Sequence, residues 1–254
     1  MALMEIDFKS QALGYHEEIM VTLPDVNGVF PVLWLLHDAF ADCSQWMRQT
    51  SVERYASKRG IAVVMPTLSD SCGMDMVPGM KYLTMLCEEL PAALGYILPC
   101  LDMGRSCTAG AGMGGYAAWM MALLYPEHFP AAGAFSGIFD IAREIRSAEG
   151  NARLSRAYSN AFGNTADLKK SNADLFELGR SCVSKGKCPR LWSLTGSNDH
   201  RALEIADDIS RMRSIGISVT EYTGEPGTGF DLWDKGIEPF LDWFLQRPEK
   251  GEQA

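Results

Sequence analysis

The chain has 254 residues, 47% of them hydrophobic and 22% charged, with a net charge of −9 at pH 7; that is enough apolar material for one large core. The acidic balance excludes a phosphate-neutralising nucleic-acid surface, and no apolar run approaches the roughly 20 residues of a membrane helix. Seven cysteines and four histidines, with no Cys-x-x-Cys pair and no His cluster, leave no metal site and no cofactor to expect.

Met4–Lys9 and Glu18–Leu23 read as two strands of an antiparallel hairpin, and the continuous apolar run Val32–His37 as a strand buried on both faces. Alternation then sets in. Gln45–Arg59 reads as helix, Ile61–Met65 as strand, Lys81–Leu98 as helix kinked at Pro91, and Ser106–Gly110 as strand. Gly114–Leu124 reads as helix, Ala131–Ser136 and Leu191–Thr195 as strands, Ala202–Ile215 as helix, Val219–Tyr222 as strand and Asp231–Leu245 as an amphipathic helix. Strands and helices alternating at these lengths imply right-handed crossovers and a parallel sheet in a single domain spanning 1–254. The polar, helix-biased stretch of about 140–187 breaks the pattern and reads as a lid-like insertion over the strand ends. Met1-Ala-Leu-Met-Glu-Ile-Asp has neither the basic nor the apolar region of a secretory signal. The odd number of scattered cysteines fits reduced thiols of a cytoplasmic protein. Cys182 and Cys188 share one loop and could pair under oxidation, but they read as free thiols.

The run Thr108-Ala-Gly-Ala-Gly-Met-Gly-Gly-Tyr116 falls between a strand and a helix, where an α/β-hydrolase carries Gly-x-Ser-x-Gly. Here the middle position holds Gly112, which has no side chain with which to attack a carbonyl. From Met4 to Trp243 the chain resembles the esterase D family, which includes S-formylglutathione hydrolase, tributyrin esterase and related acetyl and feruloyl esterases. The resemblance is carried by Pro31-Val-Leu-Trp-Leu-Leu-His37, Val52-Glu-Arg-Tyr-Ala56, Val63-Val-Met-Pro66, Lys81-Tyr-Leu-Thr84 and Glu88-Glu-Leu-Pro91. It continues through Met113-Gly-Gly-Tyr116, Tyr125-Pro-Glu-His-Phe129, Phe135-Ser-Gly137, Asp174-Leu-Phe176 and Leu232-Trp-Asp234. It implies an α/β-hydrolase fold, a mostly parallel eight-stranded sheet with helices on both faces, and it makes a homodimer an expected arrangement.

The resemblance also puts three catalytic positions on this chain: Gly112 for the nucleophile, Asp199 for the acid and Thr228 for the base. Asp199 lies in Gly196-Ser-Asn-Asp199 after a strand, where it also reads as a helix cap. Thr228 is found by counting back from Trp233-Asp234, and a threonine hydroxyl cannot act as a base near pH 7. His16, His37, His128 and His200 all lie outside the loop that must supply the base. After the third strand the family has His-Gly, whereas this chain has His37-Asp38-Ala39. An aspartate there puts negative charge where an oxyanion would form, unless its side chain turns outward to its own loop. His37, Asp38, Ala39 and Met113 are the expected ligand-binding residues, with Met74, Met76, Met80, Met113 and Met120 as candidates for an adaptable apolar lining.

Three departures on three separate parts point to a pseudoenzyme that binds a small acyl or ester-like ligand, or a protein partner, without turning it over. One alternative is an ester hydrolase with residual or rerouted activity through Ser106, Cys107 or Ser136. A second is a dinucleotide-binding protein, because Gly110-Ala-Gly112-Met-Gly-Gly115 satisfies Gly-x-Gly-x-x-Gly and Asp140 follows the next strand.

Overall fold

The computed structural model describes residues 1–163, 168, 172–223 and 226–246. β1 (Ala2–Lys9) and β2 (His16–Leu23) form the expected hairpin, in register from Ala2 opposite Leu23 to Lys9 opposite His16. β3 (Phe30–Leu36), β4 (Ala62–Pro66), β5 (Leu101–Ala111), β6 (Ala131–Phe135), β7 (Arg190–Thr195) and β8 (Val219–Thr223) continue one eight-stranded sheet. Its order is β1-β2-β4-β3-β5-β6-β7-β8, antiparallel through β1, β2 and β4 and parallel from there on.

Every residue of β3 is buried, and the pleat sends alternate side chains to opposite faces. Val32, Trp34 and Leu36 join one core with helix α5 (Met113–Leu124), buried throughout except at Leu124. Leu33 and Leu35 join the other, with α2 (Val52–Lys58) and α10 (Phe230–Leu245). Helices therefore cover both faces, as the alternation of elements implies. Among the described residues no helix is long and apolar enough to cross a membrane.

Three elements differ from the sequence reading. β5 begins at Leu101 rather than Ser106, because a register shift between Pro31 and Val32 lets Leu101 and Asp102 pair with Phe30 and Pro31. The stretch read as one helix over Gln45–Arg59 is two, α1 (Gln45–Gln49) and α2, parted where Thr50 is extended. The Asp234 carboxylate of α10 accepts the Ser51 N–H at 2.6 Å and so satisfies a free donor at the start of α2, a partner that local propensity cannot supply. The kink expected at Pro91 is instead a π-helical turn, Met85–Glu89, between α3 (Tyr82–Thr84) and α4 (Leu90–Ile97). Pro91 closely follows that π turn within one unbroken helical run, Tyr82–Ile97, and the changed bonding of the turn accommodates its missing N–H.

The stretch 140–187 contains α6 (Ile141–Ser147), α7 (Ala152–Phe162) and α8 (Leu175–Lys185). Asp140, Asn151 and Asp174 cap them through side-chain oxygens. Residues 164–167 and 169–171 of that stretch lie outside the described residues. α9 (Ala202–Ser214) follows β7 and precedes β8.

On the α10 side of β6 there is no spare room: a Cβ on Gly133 would lie 2.4 Å from the Phe240 ring. Gly133→Ala is expected to cost about 1–3 kcal/mol by overpacking, measured by urea unfolding, with the slope against denaturant unchanged.

Candidate functional site

The site is built where β5 turns into α5. Gly112 takes φ 51°, ψ −111° between the last residue of the strand and the first of the helix. Its N–H donates to the Phe135 carbonyl at 3.1 Å, and its carbonyl accepts from Tyr116 and Ile138, so the turn is tied to the end of β6. The neighbouring glycines are there for close packing. A Cβ on Gly110 would lie 2.4 Å from the Gly114 carbonyl carbon, and one on Gly114 2.4 Å from the His37 oxygen.

The loop after β3 reaches this turn, with Asp38 pointing inward. Asp38 Oδ1 accepts the Ala39 N–H at 2.8 Å and the Met113 N–H at 2.9 Å, while its own N–H donates to Gln45. The carboxylate thus bonds its own loop and the first helical N–H of α5 at once, which corrects the alternative that it faces outward. A Cβ on Gly112 would come within 2.2 Å of Oδ1 and 2.6 Å of Cγ. Asp38 and a side chain at position 112 cannot share this space in the present conformation.

His37 holds that loop rather than meeting a ligand. The buried ring accepts the Leu68 N–H on Nε2 at 2.8 Å, which requires the proton on Nδ1, and Nδ1–H donates to the Asp38 carbonyl at 2.7 Å. Burial pushes its pKa below the ordinary imidazole value, partly offset by the bond to the Asp38 backbone.

Asp199 is buried at the end of the loop after β7, where Oδ1 accepts the Arg201 N–H at 2.9 Å. His200 Nδ1 lies 3.6 Å from that oxygen, but its side chain is 85% exposed. Thr228 is exposed in the turn before α10. A Cβ on Gly196 would lie 2.0 Å from the Gly227 oxygen, so the 226–229 turn packs directly on the loop that carries Asp199. Arg201, which the sequence reading did not single out, donates to the Ser136 carbonyl at 2.8 Å and ties that loop to the end of β6.

The other nucleophile candidates are engaged elsewhere. Ser106 donates to the Met103 carbonyl, and Ser136 Oγ accepts from Trp233 Nε1 at 3.1 Å. Cys107 is fully buried in the core, and burial pushes its thiol well up. His16 pairs with Asp7 at the sheet edge, and His128 packs edge-on to Tyr125. Asp140 caps α6 and meets Arg211, so it is committed to protein partners. Among the described residues no group of three or more His, Cys, Asp or Glu could hold a metal ion.

Beside Asp38 and Met113 a small pocket of about 20 Å³, partly open to solvent, is closed by Leu154, Ala157 and Tyr158 of α7. His37, Asp38, Ala39 and Met113 all line it, whereas Met74 and Met120 are buried in the core. The remaining walls include Phe40, Ser69, Asp70 and Cys72, which come from loops after β3 and β4 and carry no periodic signal in the sequence. Phe40, Ser69 and Cys72 have φ between 47° and 61°, values uncommon in non-glycine residues and shared by Ser136 outside the pocket. The Arg153 guanidinium lies 3.7 Å from the Phe40 ring centroid. Tyr158 donates to Glu144 at 3.0 Å, and burial pushes both its phenol and the Cys72 thiol well up, leaving neither ionised near neutral pH.

The family described as "Putative esterase" matches residues 10–219 of this chain. The chain belongs to the Esterase family. It is 25% identical over 264 residues to an acetyl esterase of Caldicellulosiruptor saccharolyticus, covering 96% of this chain and 98% of that protein. The substrate-bound serine hydrolase FphF of Staphylococcus aureus superposes with a TM-score of 0.88 at 25% identity, covering 97% of this chain and 99% of the other. The S-formylglutathione hydrolase FrmB of Staphylococcus aureus gives 0.85 at 26% identity, covering 96% and 99%. The fold is therefore that of the α/β-hydrolases.

His37 makes the site loop sensitive to pH. Its folded pKa is depressed, so the unfolded chain takes up a proton first as pH falls, and the ring's contribution, full above about pH 6.5, is lost below it. His37→Gln is expected to cost about 1–3 kcal/mol at pH 7.5 and to show a smaller fall in melting temperature between pH 7.5 and 5.5 than the unmodified protein. Thermal scans across that range check it.

Proposed function

We propose that this Esterase-family protein is a non-catalytic binding protein that retains the ligand pocket of a hydrolase and lacks its bond-forming groups. The observation that carries the reading is the turn at Gly112: the position the family resemblance gives to the nucleophile has no side chain, and a carboxylate lies against it. Acyl transfer needs an attacking atom, a base that takes its proton and donors for the oxyanion. Thr228 offers no base, and the Met113 and Ala39 N–H groups already have an acceptor. Asp199 alone cannot replace them.

The pocket beneath α7 supports a binding role. Three of the four non-glycine residues with positive φ among the described residues line it, and such conformations cluster at binding and active sites. Its apolar walls, Leu68, Met113, Leu154 and Ala157, suit a short alkyl group of a small ligand. A dinucleotide fits less well. The glycines that would admit a pyrophosphate pack against Leu36, His37 and one another, and the helix N–H that would hold it is bonded to Asp38.

The unmodified protein is expected to hydrolyse p-nitrophenyl acetate and tributyrin no faster than buffer, and to take up no label from a fluorophosphonate probe. Clear turnover that persists through repurification, or a labelled serine or cysteine, overturns the reading in favour of rerouted ester hydrolysis.

A further inference from the structure

We infer that the Asp38 carboxylate is a permanent intramolecular occupant of the anion-binding corner formed by the Ala39 and Met113 N–H groups. It makes the pocket reject acyl and carboxylate heads and accept a hydrogen-bond-donating or cationic head on an apolar body. The inference deepens the binding role proposed above by naming the class of ligand, yet it can fail without it.

Three observations meet at this corner. Two backbone N–H groups from separate elements, the β3 loop and the first residue of a twelve-residue helix, converge on one oxygen of Asp38. Converging N–H pairs at a helix N-terminus are suited to an anion, and here the chain supplies that anion itself. Second, the loop is clamped so that the carboxylate stays in place: the Asp38 N–H is bonded to Gln45, and its carbonyl to the His37 ring, which in turn holds Leu68. Third, Gly112 is the residue this occupant requires. Any Cβ there would come within 2.8 Å of both carboxylate oxygens and Cγ, and the positive φ is one that glycine holds without strain.

The consequence for ligands follows from charge and valence. An incoming carbonyl or carboxylate oxygen finds both donors taken and meets a carboxylate, to which it can offer only repulsion. A ligand N–H or ammonium can instead donate to Asp38, which lines the pocket with Asp70 and Ser69. His37, which also lines the pocket, adds no positive charge, because its Nε2 accepts from Leu68. The nearby Arg153 guanidinium is stacked on Phe40.

The test compares matched ligands on matched variants. Melting temperature is followed against sodium butyrate and butylammonium chloride at constant ionic strength, for the unmodified protein, Asp38→Ala and Asp38→Asn. The unmodified protein is expected to be stabilised by butylammonium and not by butyrate, and Asp38→Ala to reverse that order. Asp38→Asn, whose amide oxygen can still fill the corner without charge, is expected to respond to neither. Butyrate acting on the unmodified protein as strongly as on Asp38→Ala, or on Asp38→Asn as strongly as on Asp38→Ala, overturns the inference. So does the absence of any ligand preference in the unmodified protein.

A second arm needs no ligand. Gly112→Ser is expected to lower the melting temperature by more than about 5 °C in the unmodified background and by less than half as much beside Asp38→Ala. Equal losses in the two backgrounds overturn the inference. If Gly112→Ser alone does not fold, recovery of a folded Asp38→Ala/Gly112→Ser protein supports it, and failure of that pair beside a folded Asp38→Ala protein overturns it. Neither arm depends on turnover, so the ester assays can come out either way without deciding this result.

Discussion

One contact governs the site: the Asp38 carboxylate against the bare α-carbon of Gly112. Each residue conditions the other. With a side chain at position 112 the carboxylate could not reach the Met113 N–H, and with the carboxylate in place only glycine fits the turn. A serine at such a turn would have both steric overlap and backbone strain of about 1–3 kcal/mol to bear. Glycine bears neither. The two positions are 74 residues apart in the chain and belong to different crossovers of the sheet.

The surrounding structure serves to hold that contact. β3 and β5 are adjacent, so the loops at their ends emerge side by side, and Gly114 lets the start of α5 come down onto the β3 loop. The neutral His37 ring bridges that loop to Leu68 beyond β4. Arg201 and Trp233 fasten the end of β6 from the Asp199 loop and from α10. Side chains that would be expected to act on a substrate are here bonded to the protein's own backbone. Those bonds hold the site loops in place, because buried polar groups left unpaired are costly.

The resemblance to esterases and the proposed departure from their chemistry are compatible because a fold and a site answer to different residues. The sheet needs apolar runs at the right spacing, and those runs are intact in β3, β4 and β6. Hydrolysis needs a few side chains at the strand ends, and those positions can change with little effect on the core. Positive φ angles are found around the pocket at the non-glycine residues Phe40, Ser69 and Cys72, while the turn beside it is held by glycine.

The sequence by itself determined the order of strands and helices and the buried character of β3, and through the family resemblance it named Gly112, Asp199 and Thr228 as candidates for the catalytic positions. Apolar periodicity and short local motifs carry that information, because they depend on neighbours within a few turns of chain. It also named Asp38 and Gly112, but as two separate departures. Only the tertiary structure decided that they are one feature, that Thr50 breaks a helix because Asp234 caps the next one, and that a π turn absorbs Pro91. The walls of the pocket were likewise hidden, since Phe40, Cys72 and Tyr158 come from segments that meet only when the sheet is assembled. The direction of a side chain and the space left for a Cβ are set by packing between distant segments, and no local pattern records them.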